Sequence, residues 1–355
     1  MWLPYLIFAF VIIPIEQFLT LRLKLPVVDV RSENEFLGGH IREAVNIPIL
    51  NNEERVAVGT DYKQKGQAEA IKTGFRLVGP RFLEIVRCAE QVAAGEELLV
   101  HCWRGGMRSS NFCQIVGMAK IKTYQLQGGY KSYRELALQS YRTPMKLHVI
   151  GGYTGSGKSE VLRALRDQGE QIIDLETLAS HKGSVFGGLM MPPQPTTEQF
   201  QNDLFEELIK LDKTRRIWVE DESIAIGKIF LPHDFWMQMS SAPVYHLEVD
   251  ESVRIQRLVN EYGKADKQEF LAAMEHITKK LGGQNFNEAR NRLFEDDMSA
   301  TIEILLRYYD KAYKTGLTNK QERIRCRISW DGSDPLECAE NFISCAVNLR
   351  QNPVG

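Results

Sequence analysis

Short apolar, β-branched runs recur along the chain, each leading into a glycine-rich or charged turn and, in two cases, directly into helical spacing. Leu25 to Val30, Leu98 to Val100, Met145 to Ile150, Arg216 to Val219 and Val244 to Val249 read as buried strands. After the second run, Asn111, Phe112, Ile115, Val116 and Met118 follow helical spacing; after the third, Val161, Leu162 and Leu165 do. Beyond about residue 260 the pattern is mainly helical. Residues Met1 to Ile15 form an uncharged apolar run, shorter than the roughly 20 residues that cross a bilayer. The run has no basic flank, and it contains Pro4 and Pro14. It reads as a packed extension or as translation from too early a start, and no membrane contact is expected unless the run is a real anchor.

The chain has 355 residues, room for two or three domains. Lys and Arg total 44 against 46 Asp and Glu, so any nucleic-acid site must be a local basic patch. Six cysteines at 88, 102, 113, 326, 338 and 345 form no Cys-x-x-Cys pair. Neither a disulfide framework nor a zinc site is therefore expected, and a reducing cytoplasm is the simplest compartment.

The junction after Leu98 to Val100 carries chemistry: His101-Cys-Trp-Arg-Gly-Gly-Met-Arg-Ser-Ser110. A cysteine at a strand end, followed by a glycine turn and a helix start, faces free backbone N–H groups that favour a thiolate. Gly105 and Gly106 allow the turn, and Arg104, Arg108 and Ser109 add donors for an oxyanion. Cys88 and Cys113 lack such surroundings. A second loop, Gly152 to Ser159, fits G-x-x-x-x-G-K-[ST] at every position between a strand and a helix. Its glycines, Gly152, Gly155 and Gly157, let the backbone wrap phosphate; Lys158 reaches the outer phosphates, and Ser159 can ligate Mg²⁺. Glu220 or Asp221, ending the Arg216 strand, would hold that metal or its water, and Arg254 and Arg257 would touch phosphoryl groups. Lys279-Lys280, Arg290 with Arg292, and the segment from Arg307 to Lys314, which interleaves cations with tyrosines, are candidate RNA contacts.

Asp29-Val-Arg31, Glu35-Phe36, Gly39-His-Ile41 and Asn46-Ile-Pro48, with the cysteine loop, resemble a rhodanese domain. The loop places five residues between Cys102 and Arg108, one more than the usual sulfane carriers, which leaves room for a phosphate-sized anion. It equally matches the His-Cys-x5-Arg-Ser pattern of cysteine phosphatases, and the first domain alone leaves both readings open. Joined to a phosphate loop, the chain resembles the tRNA 2-selenouridine synthase family over about residues 18 to 320. Further strings carry that likeness: Asn51 to Arg55, Val58 to Thr60, Gly128 to Lys131, Asp174-Leu-Glu176, His181 to Ser184 and Glu220 to Ser223.

The apolar extension over 1–16 lies outside the resemblance, which implies an α/β chain with a rhodanese-like parallel-sheet domain over 17–141 and a P-loop domain over 145–259. A mainly helical region over 260–355 would complete the second domain and contact tRNA. It also implies S-geranylation of wobble 2-thiouridine in tRNA from geranyl diphosphate, then selenation from selenophosphate. Cys102 would be the selenium-handling nucleophile and Arg104, Gly105, Gly106, Arg108 and Ser109 its selenophosphate cradle, with no tightly bound cofactor. The alternatives are a rhodanese-like cysteine phosphatase and a P-loop kinase with a rhodanese docking module.

Overall fold

The computed structural model describes residues 10–93, 97–318 and 320–351. The chain divides into two compact units, Met1–Gln139 and Ser140–Gly355. In the first, five strands form one sheet: β1 (Val11–Ile13), β2 (Val27–Asp29), β3 (Val45–Asn46), β4 (Leu98–His101) and β5 (Thr123–Leu126). Their order is β1-β5-β4-β2-β3, and every pairing is parallel. Strands β2 and β4 are buried at every residue, as strands covered on both faces must be. Val28, Val100, Phe112 and Val116 belong to the core beneath the loop that follows β4.

Part of the apolar N-terminal run expected to be an extension is a sheet element: Val11–Ile13 pairs with Tyr124–Leu126, and Ile13 is buried. The nine residues before Phe10 lie outside the described part. Among the described residues no helix is long and apolar enough to cross a membrane. The string Asn51 to Arg55 is a helix start. Asn51 accepts from the Glu54 amide at 2.8 Å, and Glu54 accepts from the Asn51 amide at 2.9 Å, a reciprocal cap for helix Asn52–Lys65. Asn46 likewise donates to the carbonyls of Asp29 and Arg31, pinning the turn after β2.

The second unit holds β6 (Lys146–Gly152), β7 (Gln171–Ile173), β8 (Arg216–Glu220), the hairpin strands β9 (Ala225–Ile226) and β10 (Ile229–Phe230), β11 (Val244–Glu248) and β12 (Ile324–Ser329). The main sheet runs β12-β11-β6-β8-β7, parallel throughout. Trp218, Tyr245, Leu162 and Phe342 belong to one core around it, while a second, helical core gathers Phe186, Phe270, Leu305 and Tyr309.

Strand β12 departs from the helical reading of the C-terminal region. Its Ile-Arg-Cys-Arg-Ile-Ser sequence alternates as a sheet-edge strand does, and it docks beside β11. A second departure follows from it: Cys326 of β12 and Cys345 of helix Pro335–Gln351 form a disulfide, with Cα atoms 6.8 Å apart, where no bridge was expected. Residues distant in sequence meet because the helix packs on the edge strand.

Candidate active sites: a cysteine loop and a phosphate loop

In the first unit β4 ends on His101, and Cys102 follows, 3% exposed, before helix Met107–Met118 begins. The loop is held from outside. Tyr130 N donates to Cys102 O at 2.8 Å, Lys131 N to Trp103 O at 2.9 Å, and Gln125 Nε2 to Gly105 O at 2.6 Å. With the carbonyls tied outward, the amides of Trp103, Arg104, Gly105 and Gly106 donate to no acceptor among the described residues. The first-turn amides of the helix join that donor set. Cys102 Sγ lies 3.2 Å from Ser109 Oγ, which also reaches Gly106 O at 3.0 Å. The hydroxyl can therefore accept from a thiol or, by rotating, donate to a thiolate.

Gly129 explains part of the Gly128-Gly-Tyr-Lys131 string. It sits at φ +63°, and a Cβ there would lie 2.4 Å from Cys102 O, 2.5 Å from Gly105 N and 2.8 Å from Arg104 N. These are backbone atoms, which cannot yield as a flexible side chain can. Gly129→Ala is expected to displace the cysteine loop and cost a few kcal/mol of stability. A crystal structure and the thiol alkylation rate of Cys102 would register the change; an unaltered loop and rate would contradict it.

The two loop arginines have different company. Arg108 is a two-pronged partner of Glu35, at 2.6 and 3.2 Å, and Arg55 meets the same carboxylate at 3.0 Å. Burial by itself would raise the Glu35 pKa, but these contacts, Arg108 foremost, hold it below the usual carboxylate range. Arg104 is exposed and has no acidic partner among the described residues. Of the expected pair, it is the cation free to meet an anion.

Beneath the loop lies a layer whose residues fall within the family strings but were given no role: Arg31, bound to Asp29 at 2.7 Å and stacked 3.8 Å over Tyr130, with His101 3.8 Å from Asp29. All of these are buried. Burial pushes the His101 pKa down to about 4, against the pull of Asp29, so the ring is neutral at pH 7 and Arg31 carries the pairing. The unfolded chain would bind a proton at His101 between about pH 6.5 and 4 that the folded chain refuses. Stability of this unit therefore falls on acidification through that window, by on the order of 3 kcal/mol. Protection factors of the β4 amides, corrected for the intrinsic pH dependence of exchange, should fall accordingly between pH 7 and 4.5, and less so in His101→Gln.

In the second unit β6 ends on Gly152, and helix Lys158–Asp167 follows the loop. Gly157 has φ +84°, and a Cβ there would press on Trp330 at 2.7 Å and Arg257 at 2.9 Å. Lys158 is buried, with Nζ 3.2 Å from Gly152 O, so the ammonium points into the concavity of its own loop. Burial alone would lower its pKa, but Tyr313, Glu176, Glu222 and Asp221 together raise it. A cavity of about 930 Å³ opens here, lined among others by Lys158, Ser159, Glu176, Lys182, Glu222 and Arg257.

The remaining expected residues are placed as follows. Ser159 Oγ donates to Glu176 at 2.6 Å, whereas Asp221 is bound by Lys320 at 2.5 and 2.7 Å and lines a different, small cavity with His246. Ser159 and Asp221 thus have separate partners, and the carboxylate that meets the loop serine is Glu176. Glu220 is fully buried and accepts from the Leu175 amide at 3.0 Å. Burial, with Asp174 and Glu176 nearby, holds its pKa well above the usual carboxylate range, and it caps a short helix rather than facing the phosphate loop. Arg254 is buried in a bidentate pair with Asp310 (2.8 and 2.7 Å) and reaches Thr154 O at 3.3 Å, so it braces the loop from behind. Arg257 does line the cavity, paired with Glu160 at 2.7 Å and lying 4.4 Å over Trp330.

Glu176 and Glu222 had no role in the residue-level reading, although both fall within strings that carry the family likeness. Burial and Glu176 push the Glu222 pKa up to about 8, with Lys158 opposing them. Among the described residues no group of three or more His, Cys, Asp or Glu is set to hold a metal. The oxygen donors of Ser159 and Glu176 are the hard kind that Mg²⁺ accepts alongside phosphate oxygens.

Lys279, Lys280, Arg290 and Arg292 are exposed. In the tyrosine-rich segment, however, Tyr309 is buried in the helical core, its hydroxyl accepting from Val185 N at 3.2 Å, and Tyr308 and Tyr313 pack against that core. Tyr309 thus serves packing, whereas Tyr308 and Tyr313 are half-buried and Tyr313 also lines the cavity at the phosphate loop. Arg307 pairs with Glu303 at 2.7 Å, and the Lys314 side chain lies outside the described residues.

Comparison with known proteins covers both units. The rhodanese-like domain family matches residues 16–136, and the family described as tRNA 2-selenouridine synthase AAA domain matches 145–334. A tRNA 2-selenouridine synthase of Shewanella denitrificans is 34% identical over 350 residues, 88% of this chain and 94% of that protein. One of Sulfurovum sp. is 34% identical over 337 residues, 85% of this chain and 91% of that protein. Among solved structures, the N-terminal domain of a Clostridium difficile protein described as ATP/GTP-binding is 39% identical over 36% of this chain and 98% of that one, with a TM-score of 0.33. The chain belongs to the tRNA 2-selenouridine synthase family.

Proposed function

We propose that the protein replaces sulfur by selenium at C2 of wobble 2-thiouridine in tRNA, in two steps. In the first, the thiocarbonyl sulfur attacks C1 of geranyl diphosphate. The S–C bond forms, the C–O bond breaks, diphosphate leaves, and the uridine N3 proton is lost. The second unit fits this step. Loop amides, Lys158 and Arg257 meet the diphosphate, and Ser159 and Glu176 would hold a Mg²⁺ ion that offsets its charge.

In the second step Cys102 Sγ attacks C2 of the activated, thioimidate-like ring, and geranylthiolate leaves with the electron pair. Selenium of selenophosphate then displaces Cys102 from C2, and water opens the P–Se bond to give phosphate. Arg104 and the free amides of 103–106 cradle the selenophosphate group. Arg108 keeps Glu35 in place beside the loop.

The observation that carries this reading is a cysteine seated in a ring of free amides in a chain that also carries a complete phosphate loop. A phosphatase would need a protonated carboxyl near Cys102 as general acid. Glu35 neighbours the loop through Arg108, and its two arginine contacts keep it ionised. Nucleoside mass spectrometry of tRNA from cells with and without the gene tests the proposal. Loss of 2-selenouridine and of S-geranyl-2-thiouridine on deletion is expected; both persisting would reject it.

A further inference from the structure

The helix that begins at the cysteine loop also forms one wall of an apolar cleft in the first unit. Met107, Arg108, Asn111 and Ile115, on successive turns of helix Met107–Met118, face helices Asn52–Lys65 and Gln67–Val78 across a cavity of about 170 Å³. Leu50, Val58, Ile71 and Val78 complete its apolar walls. Large hydrophobic side chains stay exposed around the mouth: Phe75 at 63%, Tyr62 at 59% and Met107 at 50%. Such a cluster, next to a reactive centre and unused by the fold, marks a binding surface for apolar matter.

Size decides among candidates. An apolar cavity of about 150 Å³ takes up benzene, so about 170 Å³ with an open mouth admits most of a ten-carbon chain. In the second unit the apolar void behind Thr154, among Phe186, Leu258, Phe270 and Tyr309, measures about 20 Å³, room for one water-sized group. The large cavity beside it mixes lysine, arginine and carboxylates with Met191, Val253, Leu258 and Tyr262, whereas the cleft of the first unit is almost wholly apolar.

We propose that the cleft beside Cys102 seats the prenyl chain of the S-alkylated uridine while its C2 stands before the cysteine. This rests on the two-step reading above. As the C2–S bond breaks, the chain departs with its S–C bond intact, as geranylthiol once protonated. Burying the chain thus positions the electrophilic carbon and distinguishes the activated nucleoside from unmodified 2-thiouridine.

The test uses the full-length protein with selenophosphate and two tRNA substrates, one carrying S-geranyl-2-thiouridine and one S-methyl-2-thiouridine. Wild-type kcat/KM for selenation is expected to favour the geranyl substrate by about tenfold or more, given the apolar surface buried. Ile71→Glu places a charge at a half-buried wall position and should bring that ratio close to one, with the S-methyl rate retained as proof of folding. Val58→Asp, from the facing helix, serves the same purpose if the first variant does not fold. Equal wild-type rates, or a geranyl preference that survives both substitutions, would overturn the proposal. Wild-type protein that selenates neither S-alkyl substrate, yet selenates 2-thiouridine directly, would sink the two-step reading itself and this proposal with it.

Discussion

Cys102→Ala is expected to lower 2-selenouridine formation by at least about a thousandfold while S-geranyl-2-thiouridine accumulates in the tRNA. The side chain is small and buried, and its backbone carbonyl, not its sulfur, holds the contact with Tyr130. The alanine variant therefore keeps the loop, and the loss reports chemistry rather than collapse. Cys102→Ser separates two roles further. A hydroxyl at this position still faces Ser109 but is a far weaker nucleophile than a thiolate, so the loss should match that of alanine. Normal selenation by either variant, measured by mass spectrometry of digested tRNA, would remove Cys102 from the reaction.

Lys158→Ala is expected to act one step earlier, lowering geranyl transfer by about a hundredfold or more and leaving the tRNA with unmodified 2-thiouridine. Its ammonium is the buried cation of the loop, and its charge is favoured by Tyr313 and the carboxylates Glu176 and Glu222. Removing it also withdraws the stronger of the two cations, Lys158 and Lys320, that oppose the rise of the Glu222 pKa, which should then climb above about 8. Tight phosphate binding should be lost with the same substitution. The decisive control supplies S-geranyl tRNA directly: Lys158→Ala should selenate it at close to the wild-type rate, because that step belongs to Cys102. A variant that fails on this substrate as well would show that the phosphate loop also serves selenation.

The comparison of the two variants gives the division of labour its sharpest form. Cys102→Ala should stop after alkylation and Lys158→Ala before it, so the two accumulate different nucleosides. A shared phenotype would contradict the assignment of one step to each unit.

Local chemistry determined the features that sequence reading found. A strand that ends in a glycine loop and a helix start has little freedom, so Leu98–His101 with Met107–Met118, and Lys146–Gly152 with Lys158–Asp167, follow from spacing and turn residues alone. The cysteine and the phosphate loop were visible for that reason. Partner choice was not, because a charged side chain pairs with whatever the fold brings near. Arg108 meets Glu35, 73 residues away, and Asp221 meets Lys320, 99 residues away. Ser159 takes Glu176 as its carboxylate, Arg254 turns behind the loop to Asp310, and Glu220 is buried against the Leu175 amide. Strand β12 and the Cys326–Cys345 bridge escaped for a related reason: an edge strand with alternating charges shows its role only once β11 lies beside it. Which loops can carry chemistry is legible along the chain, since backbone geometry and the first turn of a helix are local. Which cations are free, which carboxylates face the phosphate loop and where an apolar cleft opens beside Cys102 emerge only on folding, because burial and long-range pairing set each of these.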